Sequence, residues 1–267
     1  MKISVSTAPP AGVPLLAIPV LDGEQDAAFR TLDQALGGQL STLLARGDLK
    51  HGFGETTLVF PHDDAAGAER VLLVGLAKGA DLTGERLRRA AGTAAKQAGK
   101  SRVASLAFAL PASSLPVADA ARAVAEGLVL GGYDFREMKS QDPDAPAPVA
   151  LDEAVILVPA GADEGAAAEG ARVGEIVGRA ENLARQLGNL PGNVATPTYL
   201  GETAERIGRE RGLKVTVLGP QEMRAEGLNA LLAVAQGSEQ EPRLIILEHR
   251  GVLAGLSGFE RALENDL

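Results

Sequence analysis

The first 160 residues alternate between short apolar runs, which are typical of β-strands, and longer stretches with helical periodicity. Repeated alternation of this kind predicts an α/β fold, in which helices cover a mostly parallel sheet. Strand patterns occupy residues 3–5, 15–20, 56–60, 70–76, 102–110 and 154–158. Between them, Phe29, Leu32, Leu36 and Leu40 share one predicted helix face, as do Val117, Ala121, Val124 and Leu128.

Residues 70–110 form the clearest unit of this pattern. A buried strand at 71–74 leads through Gly75 and Gly79 into a helix, and a second apolar strand follows. A unit of this kind predicts two parallel neighbouring strands joined by a right-handed crossover. Because aromatic residues make up only 3% of the chain, small and branched aliphatic side chains must form the core. Such side chains suit helices packed closely on both faces of a sheet.

The alternation of strand and helix patterns is interrupted after residue 140. A proline-rich surface connection at 141–148 precedes one more strand, and a long helical pattern then runs from 163 to 187. A helix of this length between two α/β patterns indicates a bridge between domains. The alternative is one more helix packed on the first sheet.

A second α/β pattern begins at Thr196 and Pro197. Threonine suits the cap of a helix and proline its first position, while Gly212 is placed to end that helix. Further patterns predict a strand at 213–218, a short helix at 222–226, a strand or its approach at 231–235, a buried strand at 243–248 and a weak helix at 259–263.

The segment RQLGNLPGNVATPT at 185–198 resembles the opening of the catalytic domain of the leucyl aminopeptidase family (cytosol aminopeptidases, peptidase family M17). The match continues through LKVTVL at 213–218, GLNALL at 227–232, AQGS at 235–238 and EPRLIILE at 241–248. Upstream, GETTL at 54–58, RVLLVG at 70–75 and EGLVLGGYDF at 126–135 are similar to the family's N-terminal domain.

The resemblance implies a macrodomain-like N-terminal α/β domain at 1–160, a linking helix at 161–188 and an incomplete catalytic α/β domain at 189–251, with a divergent tail at 252–267. It also implies a hexamer in which pairs of divalent metals, zinc or manganese, release N-terminal residues from peptides. In that chemistry two metals polarise the scissile carbonyl and generate a hydroxide from bridging water.

Lysine and aspartate are scarce where the family's first metal segment should begin. In the family, the metal and catalytic groups come from Lys, Asp and Glu segments downstream of the strand that residues 243–248 resemble. Here Lys214 is the last lysine, and Asp266 is the only aspartate after Asp163. We therefore expect a truncated member that is inactive by itself and has no catalytic, metal-binding or cofactor-binding residue. The alternative is a non-catalytic binding or assembly module that associates with a full-length aminopeptidase.

Other candidate sites are weak. His62 precedes two aspartates but fits a polar turn better than a metal site, and His51 and His249 lack nearby partner ligands. The run at 52–54 lacks the third glycine of a dinucleotide fingerprint. Gly75 and Gly79 could hold a phosphate at a helix start, although a tight strand-to-helix turn is the commoner arrangement. Residues 255–259 lack the second glycine of a nucleophile elbow.

The charge and the absence of cysteine limit the function further. A net charge of −9 disfavours nucleic-acid binding. The densest basic stretch, Arg86, Arg88, Arg89, Lys96 and Lys100, is predicted to be the solvated face of a helix. The chain contains no cysteine, which excludes disulfides and cysteine-ligated zinc and is compatible with a cytoplasmic protein. No segment approaches the roughly 18 apolar residues of a membrane span, so no membrane association is expected.

Overall fold

The computed structural model describes residues 1–23, 25–62, 66–78, 82–140 and 146–249, and the chain divides into two compact units, Met1–Gln186 and Leu187–Leu267. The strands of the first unit are β1 (Lys2–Ser6), β2 (Leu16–Asp22), β3 (Thr56–Val59), β4 (Val71–Lys78), β5 (Ser105–Ala109) and β6 (Glu153–Leu157). Its helices are α1 (Ala27–Ala35), α2 (Gln39–Arg46), α3 (Gly84–Ser101), α4 (Val117–Gly131) and α5 (Glu164–Asn189), of which α5 continues into the second unit. The predicted strands and the predicted α/β class are confirmed.

The six strands form one sheet in the order β1-β6-β5-β2-β4-β3. All neighbouring pairs are parallel except β3 and β4, which run antiparallel at the edge. The prediction that the strands of residues 70–110 are neighbours is wrong, because β2 lies between β4 and β5. Strand order depends on pairing with a segment some 50 residues earlier, which the local pattern of this unit does not report.

The sheet is covered on both faces, as the aliphatic composition predicts. Successive residues of a strand point to opposite faces, so Leu15 and Ala17 lie in one core whereas Leu16 and Ile18 lie in the other. The first core contains the buried side chains of α3, α4 and the beginning of α5. The second contains those of α1 and α2.

The helical pattern of residues 29–40 is divided in the structure. The chain forms two helices, α1 and α2, separated at Gly37 and Gly38, whose φ angles are +62° and +84°. These left-handed conformations suit glycine, which has no Cβ to clash. Phe29 and Leu40 nevertheless lie in the same core, because the turn keeps both apolar stripes directed at the sheet.

The helix that the sequence predicts at 163–187 is α5. Its first part packs on α4 with backbones nearly in contact: a Cβ atom on Gly170 would lie 2.0 Å from the carbonyl oxygen of Ala118, and one on Gly174 would lie 2.2 Å from that of Arg122. The alternative of a helix packed within the first unit therefore describes this part of α5. Its role as a link between domains stays a prediction, as do the domain limits at 160 and 188.

The second unit contains α6 (Pro197–Arg211), β7 (Lys214–Leu218), α7 (Pro220–Ala225), α8 (Asn229–Ala235) and β8 (Leu244–Glu248). The predicted start of α6 is confirmed, because the Thr196 side chain accepts a hydrogen bond from the amide of Tyr199. Gly212 ends the helix with a φ of 69°. Strands β7 and β8 pair antiparallel as a two-stranded sheet.

Two predictions for this unit are wrong. Residues 231–235 lie in helix α8 instead of a strand, since alanine and leucine dominate its sequence and both favour helices. Strand β8 is only half-buried, with Ile246 and Leu247 exposed by 40% and 45%. The helix predicted at 259–263 and the tail at 252–267 lie outside the described residues. No helix in the described part of the chain is long and apolar enough to span a membrane.

Candidate functional site

The described carboxylates and histidines do not converge on a metal site. Among the residues that the structure describes, no group of three or more His, Asp or Glu side chains could hold a metal ion. The chain thus does not present, within these residues, the carboxylate cluster that a pair of divalent metals requires. The expectation that this chain has no catalytic, metal-binding or cofactor-binding residue stays a prediction, since it extends beyond the described residues.

The carboxylates near the end of the second unit have local partners. Glu248 on β8 forms an ion pair with Lys214 on β7 at 2.8 Å, and Glu241 pairs with Arg243 at 3.0 Å. Glu222 accepts a hydrogen bond from the amide of Gly219 at 3.0 Å and so caps the start of α7. These contacts stabilise the two-stranded sheet and the start of α7.

The histidines are separated as well. His62 is exposed after β3, and its neighbours at 63 and 64 lie outside the described residues, so the proposed polar turn there is not tested. His51 lies in the loop before β3 and is half-buried, and His249 is exposed directly after β8. In the described residues, none of the three belongs to a metal-ligating group.

Gly75 has a structural role instead of a phosphate-binding one. It lies inside β4, and a Cβ atom there would sit 2.2 Å from the carbonyl oxygen of Gly52. The amide of Gly54 donates to the carbonyl of Gly75, and the amide of Gly75 donates to the carbonyl of Glu55, both at 2.9 Å. The glycines at 52 and 54 therefore form the loop that packs on β4. Gly79 and the serine at 257 lie outside the described residues.

The basic stretch on α3 is only partly a solvated face. Lys96 and Lys100 are exposed as predicted. The guanidinium groups of Arg86 and Arg89, however, lie 5.7 Å and 4.5 Å from the centre of the Phe53 ring, within the range of cation–π attraction. These contacts attach the beginning of α3 to the loop that precedes β3.

Arg88 on α3 forms the most buried ion pair of the described residues. Its guanidinium donates to Glu126 on α4 at 2.7 Å and also contacts Glu85. Only 7% of Glu126 is exposed. Glu126 was not predicted as a buried charge, although a glutamate inside the otherwise apolar run of α4 is a sequence signal for a buried, paired charge. The pair joins α3 to α4 and faces no described cavity.

Two of the segments that resemble the aminopeptidase family meet at the end of α4. Asn182 on α5 donates to the carbonyl of Val129 at 3.0 Å, and Arg185 donates to that of Leu130 at 3.1 Å. Arg185 also lies 4.2 Å from the centre of the Tyr133 ring. Carbonyl groups at the end of a helix lack partners within it, so these side chains of α5 cap α4. We call this group the α4 cap.

Tyr133 completes the α4 cap. Its hydroxyl contacts the side-chain oxygen of Gln186 at 3.0 Å, which makes Tyr133 the donor of this hydrogen bond. Tyr133 lies in the segment at 126–135, and Arg185 and Gln186 begin the segment at 185–198. The structure therefore brings together two segments that are 53 residues apart along the chain.

Among the described residues, two surface ion pairs shift pKa values. Burial would raise the pKa of the Asp134 carboxyl, but hydrogen bonds and charges from Arg136 and Lys139 hold it below its ordinary value. A hydrogen bond from Arg172 lowers the pKa of Glu169 on the exposed side of α5. Neither pair adjoins a histidine or a second carboxylate cluster, so neither indicates a proton-transfer site.

A wide, open cleft of about 870 Å³ lies in the second unit. It is bordered by α7, α8 and the segment before β8, and its charged side chains include Glu222, Arg224 and Arg243. The cleft is open, and two of its charged groups already have partners, since Glu222 accepts a hydrogen bond from Gly219 and Arg243 pairs with Glu241.

Comparison with known protein families shows to which family the two units are related. Residues 17–142 match the N-terminal domain of the cytosol aminopeptidase family, and residues 182–255 match the catalytic domain of the same family. The two matches follow one another in the order that the sequence segments predict. The chain belongs to the cytosol aminopeptidase family.

Relatives in this family are similar over most of the chain but are much longer. A protein described as a probable cytosol aminopeptidase from Geobacter sp. (strain M21) is 40% identical over 254 residues, which cover 94% of this chain and 50% of the relative. The cytosol aminopeptidase of Pseudomonas aeruginosa (strain PAO1) is 38% identical over 84% of this chain and 45% of its own length. The chain thus spans about half the length of the curated relatives it matches.

Solved structures show the same family resemblance. A tomato leucine aminopeptidase mutant superposes with a TM-score of 0.75 at 25% identity, covering 91% of this chain and 50% of that one. The bottromycin maturation enzyme BotP in complex with Mn gives a TM-score of 0.70 at 26% identity, covering 90% of this chain and 46% of that one. In the α4 cap, Tyr133 lies within the N-terminal-domain match, and Asn182, Arg185 and Gln186 lie at the start of the catalytic-domain match.

Proposed function

We propose that this chain contributes the N-terminal unit and the first part of the catalytic domain of a leucyl-type metalloaminopeptidase, and that residues 1–267 are inactive by themselves. The observation that carries this proposal is the pair of consecutive family matches combined with carboxylates that, among the described residues, form no metal-binding group. Release of N-terminal amino acids from peptides would require the further carboxylates of a complete family member.

The domain assignment belongs to this proposal. We infer an N-terminal domain at 1–160, a linking helix at 161–188, the start of the catalytic domain at 189–251 and a divergent tail at 252–267. The match of residues 182–255 to the catalytic-domain family supports a catalytic domain that begins near the end of α5. A macrodomain-like N-terminal domain is supported by the mostly parallel sheet with helices on both faces.

The metal and the assembly are also inferred by relationship. One structural neighbour is described in complex with Mn, which supports manganese as a metal of a complete relative, with zinc as the alternative. The described residues do not fit such a site, so we assign no step of hydrolysis to them. Peptide substrates, a hexameric assembly and a cytoplasmic location are further inferences from the family and from the names of its members.

An activity assay tests the proposal directly. The purified chain, produced in a host that lacks its own leucyl aminopeptidase, is mixed with a leucine anilide and either manganese or zinc. We expect no release of the anilide, whereas the Pseudomonas aeruginosa enzyme, measured alongside, provides the positive control. Equilibrium dialysis with each metal supplies a second readout, and we expect no stoichiometric binding. Turnover that copurifies with the 267-residue chain would overturn the proposed inactivity.

A second candidate function is a non-catalytic assembly module that associates with a full-length aminopeptidase. It is favoured by apolar side chains that the second unit leaves exposed, among them Val234 at 87% and Leu247 at 45%. Exposed apolar surface of this kind commonly marks a protein–protein interface. Copurification of a tagged chain with an intact aminopeptidase from its own cells tests this function. Recovery of the tagged chain without any aminopeptidase would count against the assembly module.

A further inference from the structure

The sulfur chemistry of this chain rests on methionine. The sequence has three methionines and neither cysteine nor tryptophan. Peroxides oxidise the thiolate of cysteine and the thioether of methionine. Without cysteine, the thioether is the group of this chain that a hydroperoxide oxidises most readily. The surroundings of the three sulfur atoms then decide which of them reacts first.

Two of the methionines are protected by the fold. Met223 on α7 is fully buried, with an exposure of 0%. Met1 is half-buried and packs against the first core, and its carbonyl accepts a hydrogen bond from Arg179 at 2.9 Å. A reagent dissolved in water reaches side chains of this kind fully only when the surrounding structure opens.

Met138 has the opposite environment. It lies in a turn at 137–138 that follows α4, and 51% of it is exposed. In the described part of the chain, it belongs to neither of the two cores of the first unit. Its thioether is therefore open to a dissolved oxidant in the folded state.

The turn around Met138 is held by groups other than the thioether. The Asp134 carboxylate pairs with Arg136 at 2.6 Å and with Lys139 at 3.5 Å. The amide of Lys139 donates to the carbonyl of Arg136 at 3.0 Å. Oxidation makes the methionine side chain polar, which disrupts a protein where that side chain packs in a core. At Met138 the polar product stays in water and the turn keeps its contacts.

We propose that Met138 is a reversible oxidation site, at which a hydroperoxide converts the thioether to a sulfoxide without disturbing the fold. With hydrogen peroxide, the sulfur lone pair attacks one oxygen, and an S–O bond forms as the O–O bond breaks. The proton of the transferred oxygen passes to the other oxygen, which leaves as water. The sulfur loses two electrons and the peroxide gains them. This site is independent of the proposed function.

A time course of oxidation tests the proposal. The folded 267-residue chain is treated with hydrogen peroxide at neutral pH, and mass spectrometry of its peptides follows each methionine. We expect Met138 to react at least about tenfold faster than Met223, because Met223 reacts through opening of its surroundings, and also faster than Met1. In guanidinium chloride the three rates should converge, since the protection depends on the fold.

Two leucine variants provide matched controls. Met138→Leu should remove the fast reaction and leave the rates at the other two methionines unchanged. Met223→Leu, which removes the buried thioether instead, should leave the rate at Met138 unchanged.

The state of the oxidised chain supplies an independent readout. After oxidation at Met138 alone, the denaturation midpoint of the first unit should equal that of the untreated chain. Methionine sulfoxide reductases, one for each sulfoxide epimer, should then remove the added oxygen as water with a dithiol as the reductant. Equal oxidation rates in the folded chain, a lowered midpoint or a sulfoxide that resists both reductases would each overturn the proposal.

Discussion

In residues 1–186, helices pack on both faces of a six-stranded sheet, whereas in residues 187–249 one helix packs on a two-stranded sheet. The first unit buries whole rows of strand and helix side chains in two cores. In the described part of the second unit, the buried apolar side chains are Leu190, Ala204 and Met223. Both units follow an α/β sequence pattern, yet of the described residues only those of the first unit cover both faces of their sheet.

The difference shows that a correct local pattern does not ensure a core. Burial of apolar area is the main favourable contribution to folding, and it requires a second layer of structure. The second unit forms its helices and strands but, among its described residues, lacks that layer over β8 and α8. We therefore expect residues 1–160 to be the stable part of the chain and residues 190–267 to be poorly packed in isolation. Three predictions test this contrast, and a fourth tests the packing of the first unit by itself.

The largest expected effect is in amide hydrogen exchange. Amides of β4, β5 and β6 should exchange only through global unfolding, whereas those of β7 and β8 should exchange through local opening. We expect protection to differ by at least about a hundredfold, because each 1.4 kcal/mol of opening free energy changes the exchange rate tenfold. Mass spectrometry of peptic fragments measures it, with limited proteolysis as an independent check. Equal protection in the two units would refute the contrast.

The next effect concerns the largest buried side chains. Phe108→Ala, at a fully buried position of β5, should lower the free energy of unfolding of the first unit by about 3–5 kcal/mol. Met223→Ala, also fully buried but in the second unit, should cost only about 2 kcal/mol, because the loosely packed surroundings can collapse into the cavity. Phe60→Ala at an exposed site is the control. Denaturant titration measures all three, and a larger loss from Met223→Ala would reverse the comparison.

Close contacts at glycine give a smaller difference. A Cβ atom on Gly131 of α4 would lie 2.3 Å from the carbonyl oxygen of Gly92 on α3, whereas one on Gly208 of α6 would meet the side chain of Val215. Backbone cannot yield as a side chain can. We therefore expect Gly131→Ala to destabilise by about 1–3 kcal/mol. Gly208→Ala should destabilise by less, roughly 1 kcal/mol, because its Cβ atom would lie 2.3 Å from a methyl group of Val215 that has to move, whereas the gain in helix preference from alanine offsets part of this cost.

Gly99→Ala provides the control for these substitutions. Nothing lies within 4 Å of a Cβ atom at Gly99 on α3, so this change should stabilise the first unit by about 0.5–1 kcal/mol. Thermal and denaturant unfolding of the three variants measure the series. If Gly131→Ala left the first unit as stable as Gly99→Ala does, the close approach of α3 and α4 at Gly131 would be refuted.

The smallest effect is at the buried ion pair of the first unit. Glu126→Gln removes the charge that faces Arg88 and should lower the free energy of unfolding by roughly 1–2 kcal/mol, a value reduced by the partial exposure of Arg88. Glu169→Gln removes the charge of a fully exposed pair with Arg172 on α5 and should produce no measurable change. Chemical denaturation at neutral pH compares them, and equal stabilities would show that burial does not strengthen the Arg88–Glu126 pair.

The sequence correctly predicted most features that depend on neighbouring residues. Thr196 and Pro197 predicted the start of α6 and Gly212 its end, because capping groups act within one helical turn. The alternation along β2 and β4 likewise predicted which residues face a core. At 231–235, however, the prediction of a strand or its approach was wrong, because the helix preference of alanine and leucine decided the outcome.

The candidate site was predictable only in part. The shortage of lysine and aspartate after Lys214 is visible in the sequence. The buried pair of Arg88 and Glu126 and the α4 cap are not, because their partners are 38 residues apart in the first case and 53 to 55 residues apart in the second. Contacts of that separation depend on how the helices pack.

The amino-acid sequence by itself determined the α/β class, nearly all of the described strands and helices, and membership of the cytosol aminopeptidase family. Each of these follows from local preferences or from the order of short segments along the chain. Only the tertiary structure decided that β2 lies between β4 and β5, that α5 packs on α4, and that β8 is half-exposed. The physical reason is that strand order and burial depend on which distant segments are present to pair and to cover, and a local pattern contains no record of them.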